Sequence, residues 1–286
     1  AAEAADGEVI NADSMQLYKE LHVLTARPSA EDEARAPHHL YGVLAGNAPA
    51  SAAAWAGMAR AAVEAIEARG RLPILVGGTG LYFKALTDGL ADIPEIPAAI
   101  RHEVREEVAR GGAAAAHEAL SRLDAELAKR LAPNDAQRIA RGLEVVRATG
   151  KPLSEWQSES VGEALQGPLA KLVLAPERDA LNTRIDKRFD RMMAKGALEE
   201  VRALAALDYD PALPVMKALG VTPLRRHLAG EISLSQAVEE GKVETRRYAK
   251  RQATWARTQM ISWERVLAQD LESFIDHLMS KILLTR

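Results

Sequence analysis

Asp13 is the first residue whose placement could do chemistry. It stands in N-A-D-S-M-Q-L-Y (11–18), directly after a strand pattern at 8–12. The carboxyl ends of parallel strands are where α/β proteins build their sites. A carboxylate there could take a proton from a substrate N–H or hydroxyl; Asp13 or Ser14 could equally N-cap a following helix. The second candidate is G-G-T-G at Gly77–Gly80, after L-P-I-L-V. Its glycines let backbone approach a ligand, and Thr79 could donate to a phosphate or ribose oxygen; the plainer reading is a turn and no more.

Basic residues supply the other candidates. Arg184 and Arg188 are four apart in R-I-D-K-R-F-D-R, and guanidinium forks on one helix face could hold a pyrophosphate. Asp186 and Asp190 are near enough to engage them as ordinary surface pairs. In P-N-D-A-Q-R-I-A-R, Arg138 and Arg141 share a face one turn apart, with Asn134 as N-cap and Gln137 as its capping-box partner. That face grips phosphates or is merely solvated. The densest run is E-T-R-R-Y-A-K-R-Q-A-T-W-A-R, from Glu244 to Arg257. It gathers Arg246, Arg247, Lys250, Arg251 and Arg257, interleaves Tyr248 and Trp255, and includes a single acid, Glu244. Arg247, Lys250, Arg251 and Thr254 fall on one stripe, which suits a phosphate backbone.

The elements that must carry these residues read as α/β. A strong helix pattern over 51–70 is followed by L-P-I-L-V as a buried strand and a further helix, the βαβ signature of a parallel sheet. Residues 170–176 return to a buried strand, followed by helices to about 208. Another helix covers about 233–258, I-S-W-E-R-V suits a strand, and 269–284 suits an amphipathic helix. The expected division is an α/β core at 1–94 and 166–286, with a helical subdomain at 95–165. The opening A-A-E-A-A reads as a helix tail stopped at Gly7, and the segment after the first strand as a new helix. Since the chain starts inside that pattern without Met, upstream sequence is expected to have been removed.

Of the 286 residues, 48% are hydrophobic and 27% charged, enough for a sizeable core, and the alanine-rich composition favours helix. There is no cysteine, which excludes disulfides and thiolate metal sites. His38 and His39 are adjacent and would point apart, so no metal-ligand spacing exists. The net charge of -3 does not suggest a nucleic-acid partner, but phosphate contacts depend on local clusters rather than the sum. With no signal peptide or long apolar run, a cytoplasmic, monomeric protein with no membrane segment is expected.

Taken together, N-A-D-S-M-Q (11–16), T-A-R-P-S (25–29), P-H-H-L (37–40), L-P-I-L-V-G-G-T-G-L-Y-F-K-A-L (72–86), P-N-D-A-Q-R (133–138) and T-R-R-Y-A-K-R-Q-A-T-W (245–255) resemble the tRNA dimethylallyltransferases in order and spacing. The resemblance implies a P-loop-kinase-like parallel sheet flanked by helices, with an inserted helical subdomain. It also implies transfer of a dimethylallyl group from dimethylallyl diphosphate, with Mg²⁺, to N6 of the adenosine just 3′ of the anticodon, in tRNAs reading codons that begin with U. On it, Asp13 is the base, and Thr79 and Arg188 lie at the diphosphate end. The tRNA anticodon stem-loop would meet Asp13, Ser14, Met15 and Gln16, then Gln137, Arg138 and Arg141, the region around Lys217, and Arg246, Arg247, Lys250 and Arg251. Thr79 and Arg101 match further positions near the tRNA.

Three departures stand out. The family's G-T-A-K-P is L-T-A-R-P here, and A-I-G-Y-K is A-L-G-V-T at Ala218–Thr222. No G-x-x-x-x-G-K-[ST] occurs: Lys151 precedes Pro152 and Lys242 precedes Val243. This exact chain is therefore expected to bind diphosphate poorly, to turn over slowly or not at all, and to lack a central strand. Two other readings are an adenylate isopentenyltransferase acting on free nucleotide and a non-catalytic RNA-binding protein. The basic helix and the large helical insertion favour a polymeric acceptor over the first, and the retained Asp13, Thr79 and Arg188 oppose the second.

Overall fold

The computed structural model describes residues 2–159, 162–267 and 279–280, and over these the chain is an α/β protein. In chain order its elements are β1 (Gly7–Asn11), α1 (Ala30–Arg35), β2 (His38–His39), α2 (Ala52–Glu67), β3 (Leu72–Val76), α3 (Gly80–Thr87), α4 (Ala98–Leu123), α5 (Ala125–Arg130), α6 (Ala136–Thr149), α7 (Leu153–Glu159), β4 (Leu172–Leu174), α8 (Arg178–Ala194), α9 (Ala197–Ala205), a 3-10 turn (Pro214–Lys217), α10 (Val221–Leu228), α11 (Leu234–Gln259) and β5 (Glu264–Val266). The amphipathic helix expected at 269–284 falls almost wholly outside the described residues. No described helix is long and apolar enough to cross a membrane.

Two compact units result, one of residues 1–83 and 166–286, the other of residues 84–165. In the first, β1 lies between β2 and β3, all parallel, with Val9 opposite both His38 and Ile74. β4 and β5 form a separate parallel pair. The sequence makes β3 a buried strand, yet none of its five residues is buried and Val76 is 50% exposed. The reason is position: among the described residues β3 pairs only with β1, and Pro73, which lacks an N–H, is tolerated where one edge goes unpaired.

Helix α2 explains how β1 is held. Ser51 caps it by accepting from the Ala54 N–H, and Trp55, Ala56, Ala59, Val63 and Ile66 make its buried stripe. Trp55 stacks on Tyr82 at 4.2 Å between centroids, and its indole N–H donates to the Asn11 carbonyl at 2.9 Å. A second apolar core joins α8–α11 to the segment after β1 through Phe189, Val201, Leu224, Tyr18 and Leu21. Two expectations fail at the start of the chain. Residues 2–6 form turns rather than a helix tail, and the segment after Asp13 is a series of turns with one bridge, Tyr18 to Leu44. Tertiary packing of Leu17, Tyr18 and Leu21, all fully buried, overrides whatever helical tendency that stretch has.

At the other end of β1, Glu8 is 2% exposed and accepts from Arg69 at 2.7 Å, Arg71 at 3.1 Å and His39 at 2.6 Å. The hydrogen bond from Arg69, helped by that of His39 and opposed by burial, pulls its pKa down to about 2. A carboxyl whose folded pKa is depressed contributes stability that is full above its unfolded pKa and is lost as pH falls through the folded value. Glu8→Gln should therefore cost about 1–3 kcal/mol at neutral pH. It should also flatten the decline in stability from the ordinary glutamate range down to about pH 2, as urea titrations at several pH values would show.

The unit of residues 84–165 is helical, and no strand occurs among its described residues. Helix α4 breaks at Gly112, whose φ of +79° suits glycine. Its core joins Val104 and Leu120 to Ile139 and Leu143 of α6. The cap of α6 is Asp135, which accepts from the Arg138 N–H at 3.2 Å. The N-cap thus falls one residue after the expected Asn134, a shift that an N-D pair leaves open because both side chains cap well, and the expected capping box with Gln137 does not form.

Candidate functional site

A cavity of about 1010 Å³ opens where β1 and β3 end, and it is lined by residues of the first unit, among them Asp13, Ser14, Met15, Gln16, Arg188 and Lys217. Asp13 enters it because the chain turns sharply after β1. Asn11, fully buried, makes that turn: its side-chain oxygen accepts from the Asp13 N–H at 2.8 Å, and its amide donates to the carbonyls of Asp13 and Leu40, both at 3.0 Å. Asp13 Oδ1 then accepts from the Met15 N–H at 2.8 Å. The capping geometry considered for Asp13 exists in miniature, as an Asx turn without a helix.

The G-G-T-G segment closes over this turn. The Thr79 N–H donates to the Ala12 carbonyl at 3.1 Å, and Thr79 Oγ1 accepts from the Ser14 N–H at 3.0 Å. Thr79 thus orients Asp13 and Ser14 from behind, while Gly77 and Gly78 line the cavity. Gly77 has no room for a side chain: a Cβ there would stand 2.2 Å from the Ala12 carbonyl carbon. Helix α11 seals the far side, with Gln252 donating to the Gly78 carbonyl at 2.9 Å and Tyr248 to the same oxygen at 3.4 Å.

Burial raises the Asp13 pKa above the ordinary aspartate value; the N–H groups of Met15 and Gln16 and the charge of Arg188 oppose that rise without cancelling it. Burial likewise pushes the phenol of Tyr41 up to about 12 and that of Tyr248 up, each aided by the Asp13 charge. Burial lowers the Arg188 guanidinium pKa, against the pull of Asp13. A carboxylate and an arginine that sense one another in a cleft, each shifted first by desolvation, mark a functional site.

Arg184 and Arg188 both line the cavity. The competing reading, that Asp186 and Asp190 neutralise them, fails: Asp186 pairs with Arg246 and Asp190 with Lys242, both on α11. Neither arginine makes an ion pair among the described residues, and both line the cavity, where they are available for an anion. The same geometry corrects the reading of the basic helix. Arg246 is tied down by Asp186, and Glu244 spends its carboxylate on the Gly220 N–H at 3.1 Å. Arg247, Lys250 and Thr254 remain on the exposed face, and Arg251 lines the cavity with its guanidinium over the Tyr248 ring.

In the second unit, Gln137, Arg138 and Arg141 share the exposed face of α6, and Arg101 lies on α4. Arg138 reaches Asp135 at 3.5 Å, Arg141 reaches the buried Glu144 at 3.7 Å, and Arg101 reaches Glu95 at 4.0 Å. These are loose, mostly exposed pairs that leave the cations accessible. Sequence reasoning missed Asn11 and Gln252 as organisers of the site. Their signal, a polar residue closing a strand and another inside a helix beside Tyr248, is too common to single out.

The fold and cavity define a class: an α/β protein in which a half-buried carboxylate and two arginines without an ion pair among the described residues line one cavity at the ends of parallel strands. The family model described as IPP transferase matches residues 16–259, and the chain belongs to that family. It is 56% identical over 281 residues to a tRNA dimethylallyltransferase of Parvibaculum lavamentivorans, spanning 98% of this chain and 89% of that protein. It is 53% identical over 267 residues to the tRNA dimethylallyltransferase of Rhodospirillum rubrum, spanning 93% of this chain and 82% of that protein. Among solved structures it is similar to a tRNA delta(2)-isopentenylpyrophosphate transferase of Staphylococcus epidermidis, with a TM-score of 0.69, 30% identity and coverage of 100% and 93% of the two chains. It is also similar to a eukaryotic dimethylallyltransferase acting on tRNA, with a TM-score of 0.78, 27% identity and coverage of 95% and 70%.

Proposed function

We propose that the chain transfers the dimethylallyl group of dimethylallyl diphosphate to N6 of the adenosine 3′ to the anticodon, in tRNAs reading codons that begin with U. The observation that carries this reading is the presence in one cavity of half-buried Asp13 and of Arg184 and Arg188, neither of which makes an ion pair among the described residues. An exocyclic amine needs a proton acceptor to become a useful nucleophile, and an allylic diphosphate needs its leaving charge neutralised. The Asp13 carboxylate takes the N6 proton as the new C–N bond forms. The C–O bond to diphosphate breaks with its electron pair leaving on the diphosphate, whose charge the two guanidiniums offset. Thr79 keeps Asp13 and Ser14 in place through the 3.0 Å bond to the Ser14 N–H.

The acceptor adenine is stacked in an RNA loop and must be swung out to enter a cavity of about 1010 Å³. Arg247, Lys250 and Arg251 of α11 hold flanking phosphates, and Gln137, Arg138, Arg141 and Arg101 of the helical subdomain are further tRNA-contacting residues. A tRNA acceptor implies action in the cytoplasm, and no contact in this reading requires a second copy.

Mg²⁺ fits a supporting part. No group of three His, Asp or Glu converges on one point among the described residues. The Asp13 carboxylate and the hydroxyl of Ser14, which line the cavity, are too few to cage an ion. They suit one that arrives on a diphosphate and keeps most of its waters. When bound there, it would supply charge neutralisation to the leaving group.

The test is transfer of labelled dimethylallyl to unmodified tRNA and to AMP, by this chain and by a version preceded by a G-x-x-x-x-G-K-[ST] loop. Transfer to tRNA but not AMP is expected; the reverse selectivity, or none from a folded extended protein, sinks the reading. Arg247→Ala and Lys250→Ala should each weaken anticodon stem-loop binding at low salt and reduce the slope of log affinity against log salt by about 1. Fluorescence anisotropy across a salt series measures both.

A further inference from the structure

The wall of the cavity includes Leu24, Thr25, Ala26 and Arg27, a turn with no secondary structure of its own. Three consecutive N–H groups at its start converge on one carboxylate. Glu200 Oε1 accepts from His22 at 2.6 Å and Val23 at 2.8 Å, and Oε2 accepts from Leu24 at 2.8 Å. Glu200 lies in the first turn of α9, where a negative charge is favoured by the helix dipole. Such a nest of successive N–H groups usually receives a bound anion; here the protein supplies its own.

The turn needs this clamp. Ala26 has φ of +52°, a left-handed conformation that alanine adopts only when its surroundings impose it. Beyond Glu200, the turn is held by the Gln16 amide, which donates to the carbonyls of Thr25 at 2.9 Å and Ala26 at 3.1 Å, and by the Arg27 N–H, which donates to His22 O at 3.0 Å. Gln16 also lines the cavity. On the other side the turn meets the segment after Lys217: a Cβ on Gly220 would stand 3.2 Å from a Leu24 methyl. The turn therefore links Gln16 to the Lys217–Gly220 segment.

We infer that Glu200 is a positioning residue for the RNA acceptor: by binding three backbone N–H groups it fixes the turn of residues 22–27, and through it Gln16 and the Lys217–Gly220 segment. It does not enter the cavity and touches no reacting atom. This inference rests on the proposed RNA acceptor, and it adds that the acceptor, rather than the diphosphate, depends on Glu200.

The variants are Glu200→Gln, which keeps the shape but loses the charge and one acceptor oxygen, and Glu200→Asp, which keeps the charge on a shorter reach. Glu199→Gln serves as a neighbouring control, since Glu199 is exposed. Hydrogen exchange at 22–24, anisotropy with an anticodon stem-loop RNA, and calorimetry with inorganic pyrophosphate are measured on each. Glu200→Gln should speed exchange of those amides and weaken RNA binding about tenfold, with pyrophosphate affinity unchanged. Glu200→Asp should fall between it and the parent, and Glu199→Gln should match the parent. Unchanged RNA affinity in a folded Glu200→Gln protein overturns the inference, as does an equal loss for both probes. If Glu200→Gln does not fold, Glu200→Asp decides by the same criteria. A parent chain that binds pyrophosphate but no RNA overturns the acceptor reading itself, while exchange at 22–24 still decides whether Glu200 holds the turn.

Discussion

In the version preceded by the G-x-x-x-x-G-K-[ST] loop, Asp13→Asn should lower dimethylallyl transfer by roughly a hundred- to ten-thousandfold, the usual contribution of a positioned general base, while leaving the fold intact. The asparagine oxygen can still accept from the Met15 N–H that Oδ1 now engages at 2.8 Å, so the Asx turn survives and only the proton acceptor is lost. In the parent protein the carboxylate must be ionised to act. Because burial raises the Asp13 pKa, the acid limb of the rate profile should lie above the ordinary aspartate range, with activity falling as pH drops through it. Single-turnover transfer across a pH series measures the limb, and thermal unfolding confirms the fold. A variant with more than a tenth of parental activity would remove Asp13 from the role of base.

Gly77→Ala should fail for a different reason. The added methyl would stand 2.2 Å from the Ala12 carbonyl carbon and 2.3 Å from its oxygen. Both are backbone atoms at the end of β1 that no rotamer change can move aside. Either β1 and β3 separate at this point or the turn carrying Asp13 shifts. Overpacking of this kind costs about 1–3 kcal/mol, and a displacement near 1 Å at the carboxylate costs about a hundredfold in rate. Urea unfolding and the transfer assay should show both losses together, unlike Asp13→Asn, which should show only the second. A Gly77→Ala protein of parental stability would mean that the two strand ends do not approach as closely as the structure has them.

The contrast between these substitutions shows how much of the site the sequence carries. Asp13 stood out in the sequence as a carboxylate at the carboxyl end of a strand, although the same position suited an N-cap equally well. The basic run at 244–257 was legible because acids are nearly absent from it. Gly77 was legible as a flexible position, but its close approach to Ala12 depends on β1 and β3 pairing in register from Gly7 with Leu72 to Asn11 with Val76, which no local pattern encodes. Which arginines are available was also beyond local reading. Asp186 and Asp190 lie in the same helix as Arg184 and Arg188, yet they turn to α11 and hold Arg246 and Lys242.

By itself, then, the sequence determined the alternation of strands and helices, the helical character of the segment at 95–165, which the structure places in a unit of residues 84–165, the family, and the residue types from which the site is built. These depend on short-range periodicity and on blocks of residues whose order is visible along the chain. The tertiary structure alone decided that β3 pairs only with β1 among the described residues, that no helix follows Asp13, that Asn11 and Thr79 hold the Asp13 turn, and that Glu200 clamps residues 22–24 from a position 176 to 178 residues away. Each of these depends on groups distant in sequence meeting at hydrogen-bond or van der Waals range. Such meetings are selected by burial of the whole core, not by the preferences of any one segment.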